Sequence, residues 1–291
     1  MAAIGLQNDG SVKRLAFTED DCRARTLFSE WLIAAGASIR IDAAGNLIGR
    51  IEGTEPGLPA LVTGSHLDTV PTGGRFDGAL GVLAGLEVIR SLKDQAISLR
   101  HPLEVVAFAD EESTMVGCKG MTGVASDNPA DYTCSNGQSI SDNLPRTGGN
   151  WQQLAQARRS DDAIAAFVEL HVEQGGILES RGDAIGLVEG VVGQRRFLVR
   201  IEGQANHAGT TPMDARQDAL ATAAQVILAV QELANNHPGD PVGTVGKLQL
   251  WPNAANVVPG QVELSVDLRD LSLEALSELV EDLESRLHSI S

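Results

Sequence analysis

Short apolar runs alternate with longer amphipathic stretches through the first 190 residues of the chain. Residues 18–36 have the spacing of an amphipathic helix, with Thr18 suited to cap its start and Gly36 to end it. The other elements predicted here are a hairpin over 38–51, buried strands over 61–63, 103–109 and 165–172, a helix over 78–92, and a loop over 126–150. Strands alternating with helices favour an α/β fold with a mostly parallel, helix-covered sheet.

The order of elements changes near Gly190. The pattern then predicts a strand over 197–201, a helix over 214–234, strands over 242–250 and 262–268, and a helix over 272–288. This β-α-β-β-α order lacks only a last strand to be a ferredoxin-like split unit. We therefore expect two domains, 1–190 and 191–291, the second ending before its last strand.

The composition of the chain argues against several classes of function. The 291 residues carry a net charge of −17 and only 3% aromatic residues, which argues against a nucleic-acid partner. No apolar run is long enough to span a membrane, and the first 20 residues lack a signal-peptide core. Three cysteines are an odd number without ligand spacing, so we expect free thiols and a reducing cytoplasm.

Side chains that bind metals follow three of the predicted strands. His66 and Asp68 come just after the first, Glu111-Glu112 after the second, and His171 ends the third, while Asp77 lies on a glycine-flanked loop. The carboxyl ends of strands are where open α/β sheets build their sites. Imidazole with carboxylate is a donor set for zinc-like metals, and a second carboxylate can take a proton from water activated by the metal. The pattern predicts a metal-dependent hydrolase.

Each of these residues also has an ordinary structural explanation. A single histidine at a strand end is more often a satisfied surface or core residue, and adjacent glutamates are commonly a solvated loop. Asp77 can be only the cap of the helix that follows it. The metal hypothesis therefore depends on three strand ends carrying ligand types together.

Six stretches make the chain resemble a known family. They are 14–18 (RLAFT), 64–87 (GSHLDTVPTGGRFDGALGVLAGLE), 110–113 (DEES), 169–175 (ELHVEQG), 206–213 (NHAGTTPM) and 256–260 (NVVPG). The chain resembles, from about residue 14 to 270, the dinuclear metal amidohydrolases and peptidases that include aminoacylases. Within them it is most similar to the branch of N-carbamoyl-L-amino acid hydrolases, ureidopropionases and allantoate amidohydrolases.

The resemblance implies two divalent metal ions, Zn²⁺ or Mn²⁺, with Co²⁺ or Ni²⁺ possible. It assigns His66, Asp77 and His171 to one metal, with Asp77 as the bridge, and Glu112 to the second. It makes Glu111 the general base.

The remaining roles are also implied by the resemblance. Asp68 orients His66, and the smaller domain is an inserted lid and dimerisation domain of a homodimer. His207 stabilises the oxyanion from a partner subunit. Asn256 and Arg269 hold the carboxylate of a small-molecule substrate, and Gln174 lines the pocket. From the residues alone, Arg269 is explained as well by an ion pair beside Asp267, and His207 by a turn.

The chain departs from the family pattern in two places. The loop after Glu112 is shorter, which bears on pocket shape. The family's last histidine ligand for the second metal, from a Gly-His-Asp-type motif beyond the lid, has no match, since His288 lies on the last predicted helix. The first residues also look clipped, so we expect a fragment of a hydrolase of linear amide or ureido C–N bonds. The alternatives are a peptidase or aminoacylase, and an inactive dimerising protein.

Overall fold

The computed structural model describes residues 1–290, in two compact units that divide between Arg181 and Gly182. In unit 1 the elements are α1 (Glu19–Ala35), β1 (Ser38–Ile41), β2 (Leu47–Ile51), β3 (Ala60–His66), α2 (Ala79–Asp94), β4 (Leu103–Phe108), α3 (Val116–Thr122), α4 (Ile140–Asn143), β5 (Ile164–Val168) and α5 (Ile177–Arg181).

The first helix has the ends that its sequence predicts. The side chain of Thr18 accepts a hydrogen bond from the backbone N–H of Asp21, which satisfies one of the free donors at the start of α1. Gly36 takes the left-handed conformation, with φ of 102°, and its N–H closes the last turn on Ile33. Both predicted caps are confirmed.

The sheet of unit 1 is mixed, with the order β1-β2-β4-β3-β5. β3 pairs in parallel with β4 and β5, whereas β2 pairs antiparallel with both β1 and β4. The prediction of a mostly parallel sheet is therefore wrong for the half of the sheet that contains β1 and β2. These two strands form a tight hairpin, and a tight hairpin can join only antiparallel strands. The register places His66 opposite Phe108, so both strands deliver their following loops to the same edge.

The third predicted strand is not buried. β5 pairs only with β3 and forms an edge of the sheet, and Phe167 and Val168 are 46% and 68% exposed. The prediction of a buried strand over 165–172 is wrong in this respect, because an apolar run cannot show on which side a strand has neighbours.

Short helical turns occupy much of the predicted loop over 126–150. They are α4 and the 3-10 turns Pro129–Asp131 and Leu144–Thr147. Ile140 and Leu144 are fully buried in a small core with Val116, so this segment packs as part of unit 1. Its polar composition had concealed these turns.

The first secondary-structure element of unit 2 is β6. The elements of this unit are β6 (Gly193–Glu202), β7 (Asn206–His207), α6 (Ala219–Asn236), β8 (Val242–Trp251), β9 (Val257–Val258), β10 (Gln261–Asp270) and α7 (Leu273–Ile290). The main strands form an antiparallel sheet in the order β6-β10-β8, and β7 pairs with β9. The sequence did not predict the β7–β9 pair, and α6 starts after the predicted residue 214 because Asp218 is its N-cap.

One face of the unit 2 sheet carries the core. Residues along β10 alternate between buried and half-buried, with Val262, Leu264, Val266 and Leu268 on the buried face. These side chains pack with apolar residues of α6 and α7, so the opposite face is free of these helices. Among residues 1–290, no helix has both the length and the apolar character to cross a membrane.

Candidate metal centre

His66 is the last residue of β3, and its side chain is buried. Its Nδ1 lies 2.9 Å from the carbonyl oxygen of Asp68. A carbonyl oxygen only accepts, so Nδ1 carries the proton and Nε2 keeps the lone pair that a metal ligand needs. Burial alone would lower the pKa of the His66 imidazole, but the carboxylates of Asp68 and Glu111 outweigh it and raise the pKa.

The His66 ring packs directly against Gly78, where no side chain occupies the space. A Cβ at this position would lie 2.5 Å from three atoms of the ring, and φ is +62°. Only glycine meets both conditions without strain. Gly78 is thus a site residue that the sequence analysis missed, although the glycine directly after Asp77 was a visible signal.

Asp77 and His171 complete a group of three possible ligands. His171 Nε2 lies 3.4 Å from Asp77 Oδ1, and His171 Nδ1 lies 2.9 Å from the carbonyl oxygen of Val172. The Asp77 carboxylate makes no cap of α2; instead it accepts hydrogen bonds of 3.1 and 3.0 Å from the Gln174 amide. The explanation of Asp77 as a helix cap is wrong.

The three side chains fit a divalent metal. His66, Asp77 and His171 each offer one donor atom, and these atoms all lie within 4.8 Å of one another. Two neutral imidazoles and one carboxylate are the kind and number of protein ligands typical of a catalytic zinc. The predicted first metal site therefore fits the geometry of unit 1.

Asp68 lies next to His66 and is almost fully buried. Its carboxylate accepts the backbone N–H groups of Glu111 at 3.4 Å and Glu112 at 3.1 Å, whereas Oδ1 is 3.9 Å from His66 Nδ1. Burial raises the pKa of the Asp68 carboxyl, and the nearby Asp110 carboxylate adds to the effect. Asp68 thus touches His66 through its carbonyl oxygen and the two glutamates through its side chain.

The two glutamates follow β4. Glu111 Oε2 lies 3.5 Å from His66 Nε2, and the Glu111 side chain is 37% exposed. Glu112 does not belong to the group of three ligands, but its pKa is raised by burial and by the carboxylates of Asp77 and Glu111. Asp110 has φ of 51°, which turns the chain sharply before both glutamates.

His207, in unit 2, uses its Nδ1 as a hydrogen-bond acceptor, whereas Nδ1 of His66 and of His171 faces a carbonyl oxygen. Its Nδ1 accepts the backbone N–H of Gly209 at 3.1 Å. In the neutral ring the proton then lies on Nε2, so the exposed edge of His207 is a hydrogen-bond donor. Asn256 holds the same loop through its carbonyl oxygen, which accepts the N–H of Ala208 at 2.9 Å.

Arg269 lies on the sheet face opposite the α6–α7 core. Its Nε and a terminal nitrogen contact the Asp267 carboxylate at 2.9 and 3.3 Å, and Arg196 contacts the same group at 2.9 Å. Hydrogen bonds from Arg269 and Arg196 lower the pKa of Asp267 to about 2. The ion pair considered from sequence is present.

Comparisons with known proteins show the family to which the chain belongs. The profile of Peptidase family M20/M25/M40 matches residues 62–268. The chain belongs to this family. All of it aligns at 40% identity with 72% of the N-carbamoyl-L-amino acid amidohydrolase of Geobacillus stearothermophilus, and at 37% identity with 71% of the allantoate amidohydrolase of Bacillus subtilis. The resemblance predicted from the sequence is confirmed.

A solved structure of the M20/M25/M40 family gives the same result for the fold. The amidase of the hydantoinase/carbamoylase family from Burkholderia multivorans is 38% identical, with a TM-score of 0.89. The alignment covers 99% of this chain and 71% of that one. The mixed α/β fold is therefore a fold of this family.

Proposed function

We propose that this chain is a metal-dependent amidohydrolase that cleaves a linear amide or ureido C–N bond in a small carboxylate substrate. The names of the relatives confirm the class of reaction, and they favour a substrate of the N-carbamoyl-L-amino acid or allantoate type. The observation that carries the proposal is the group of His66, Asp77 and His171, whose donor atoms lie within 4.8 Å.

Glu111 would be the general base. A divalent metal ion held by the three ligands would polarise the substrate carbonyl and lower the pKa of water. Glu111 would take the proton from that water and pass it to the leaving nitrogen. Its position supports this role, since Oε2 is 3.5 Å from His66 Nε2 and the side chain remains accessible.

Glu112 would hold a second divalent ion, and Asp77 would serve as a ligand for both ions. Burial and the carboxylates of Asp77 and Glu111 raise the pKa of Glu112, and a divalent ion held there would offset this unfavourable negative charge. Mixed imidazole and carboxylate donors accept Zn²⁺ or Mn²⁺, and also Co²⁺ or Ni²⁺. Asp68 would orient His66 and, through its carboxylate, hold the turn that carries both glutamates.

Unit 2 would be an inserted ferredoxin-like lid and dimerisation domain. In chain order its main strands are β6, β8 and β10, and their arrangement as β6-β10-β8 is the first-third-second order of a split βαβ unit. Both helices pack on one face, which leaves the other for contacts. We expect a homodimer in which His207 serves the site of the partner subunit.

The substrate carboxylate would be held by Arg269 and Asn256, while Gln174 would line the pocket. A guanidinium suits a carboxylate because it donates two parallel hydrogen bonds. The Nε2–H of His207 would donate to the oxyanion that forms at the carbonyl carbon. The hydrogen bond from Gly209 to Nδ1 supports this protonation state.

We also propose that the protein works in the cytoplasm. Cys22, Cys118 and Cys134 are all free thiols, which supports a reducing compartment.

The proposal is tested by ammonia release. The protein loaded with Mn²⁺ or Zn²⁺ should release ammonia from N-carbamoyl-L-amino acids or allantoate, and a chelator should stop the reaction. Cleavage of N-acyl amino acids or dipeptides without ammonia release would instead favour an aminoacylase or peptidase. A folded dimer that binds no metal at saturating Mn²⁺ or Zn²⁺ would favour an inactive dimerising protein.

A further inference from the structure

The two histidines of the metal centre lie beyond the part of the sheet that joins their strands. The ladder between β3 and β5 ends with the pair Thr63–Val168, and His66 and His171 each follow three residues later. His66 is still held by the pairing of β3 with β4, which reaches Phe108. His171 has no such support from strand pairing, since β5 ends at Val168.

A single side-chain hydrogen bond crosses between the two segments in this gap. Ser65, directly before His66, donates from its hydroxyl to Oε1 of Glu169 at 2.5 Å. Glu169 lies two residues before His171. A hydroxyl bonded to a carboxylate at this distance is a strong, charge-assisted hydrogen bond, and Ser65 is only 1% exposed.

Neither residue belongs to the ligand group itself. The three donor atoms come from His66, Asp77 and His171, while the Ser65 hydroxyl and Glu169 Oε1 are engaged with each other. After His171, the amide of Gln174 contacts Asp77, so the exposed segment is tied to the site on both sides of the histidine.

We propose that Ser65 and Glu169 are a pair of positioning residues that hold His171 at its distance from His66. The bond acts across the gap left by the β3–β5 ladder, so the ligand group is already assembled before a metal binds. The inference rests on the proposed metal site, and predicts tight metal binding only when hydroxyl and acceptor are both present.

The test is the dissociation constant for Zn²⁺, measured by competition with a chromophoric chelator, so that no activity is needed. Removal of outer-shell partners weakens metal affinity by about 10-fold to 100-fold, and we expect this for Ser65→Ala and for Glu169→Ala. Because both changes break the same bond, the double variant should bind no more weakly than either single variant. Glu169→Gln keeps an oxygen acceptor and should lose less affinity.

Two controls separate positioning from folding. Thr147→Val removes another buried hydroxyl, which donates to the Leu144 carbonyl oxygen at 3.1 Å outside the site, and should leave the dissociation constant unchanged. Thermal unfolding of each variant should show a folded protein. Should Ser65→Ala fail to fold, the exposed Glu169 variants provide the same comparison.

Two results would overturn the inference. Unchanged metal affinity in the single variants, with or without a lower melting temperature, would show a purely structural bond. Effects that multiply in the double variant would show that the residues act independently. The His66→Ala variant tests the proposed metal site separately from the Ser65–Glu169 pair. If His66→Ala also binds Zn²⁺ with wild-type affinity, the assignment of the metal site itself is wrong.

Discussion

The rings of His66 and His171 lie with their centroids 6.1 Å apart, and each points its Nδ1 at a backbone carbonyl oxygen just after it in the chain. The acceptors are the carbonyl oxygens of Asp68 and Val172. The backbone thereby fixes the same tautomer in both rings and leaves both Nε2 atoms as ligands.

His66→Ala and His171→Ala should each weaken Zn²⁺ binding by more than about 100-fold, because each removes a direct ligand rather than an outer-shell partner. Isothermal titration calorimetry would measure the change. His101→Ala is the matched control, since His101 also directs Nδ1 to a carbonyl oxygen, that of Pro59 at 2.7 Å, but lies outside the ligand group. A comparable loss in the control would contradict the assignment.

Gly78→Ala should abolish metal binding and destabilise unit 1. The new Cβ would lie 2.5 Å from the His66 ring, in addition to the cost of about 1–2 kcal/mol for a left-handed residue with a side chain. Gly57 has φ of +86° with no atom within 4 Å of an added Cβ, so Gly57→Ala carries the backbone cost alone. Denaturant unfolding and Zn²⁺ titration of the two variants would test this; equal metal affinity would exclude a specific role for Gly78.

Glu104→Gln should show a pH-dependent loss of stability. Glu104 is 2% exposed and is paired with Arg159 at 2.7 Å and Arg50 at 2.9 Å. Burial opposes its ionisation, but hydrogen bonds from these arginines outweigh the effect and lower its pKa. The stabilisation is therefore complete above the unfolded-state pKa of about 4.3, and is lost as pH falls through the lower folded-state pKa.

At pH 7 the substitution of Glu104 should reduce the free energy of unfolding by about 1.5–3 kcal/mol, because it removes a charged hydrogen-bond partner from the half-buried Arg159 and from Arg50, which keeps Glu52. Urea unfolding from pH 7 to pH 3 should show the difference from wild type shrinking in acid. Glu55→Gln, which breaks an exposed pair with Arg100, should change little. A loss for Glu104→Gln that does not depend on pH would contradict the charge-based account.

Arg269→Lys should raise KM by about 10-fold to 100-fold with little change in kcat, because lysine cannot donate two parallel hydrogen bonds to a carboxylate. Arg200→Lys is the control, since Arg200 also makes an ion pair on this sheet, with Glu263 at 2.6 Å. Steady-state kinetics on the substrate that releases ammonia would compare them. Equal KM values in both variants would leave Arg269 with only its ion pair to Asp267.

Local signals in the sequence were enough for the caps of α1 at Thr18 and Gly36, and for the existence of β3 and β4, although β3 continues three residues beyond its predicted end at residue 63. The nearness of His66 and His171 was also predictable, because parallel strands bring their carboxyl ends to one edge, whereas the resemblance to the family was needed to group Asp77 with them. Both predictions depend on patterns within a few residues or on a general property of sheets.

Other features depend on neighbours that a sequence pattern does not specify. The exposure of β5 depends on its having one partner strand, and the contact of Gln174 with Asp77 depends on how the loop after His171 folds back. The Asp68 carboxylate contacts the N–H groups of Glu111 and Glu112 because Asp110 turns the chain toward it.

The most direct test is ammonia release by Glu111→Gln compared with wild type at equal, measured metal content per chain. The account predicts that the variant keeps its Zn²⁺ or Mn²⁺, since Glu111 is no ligand, and loses about 100-fold to 10,000-fold in kcat as expected for a general base. Wild-type ammonia release that needs no metal, or a Glu111→Gln variant as active as wild type, would contradict it.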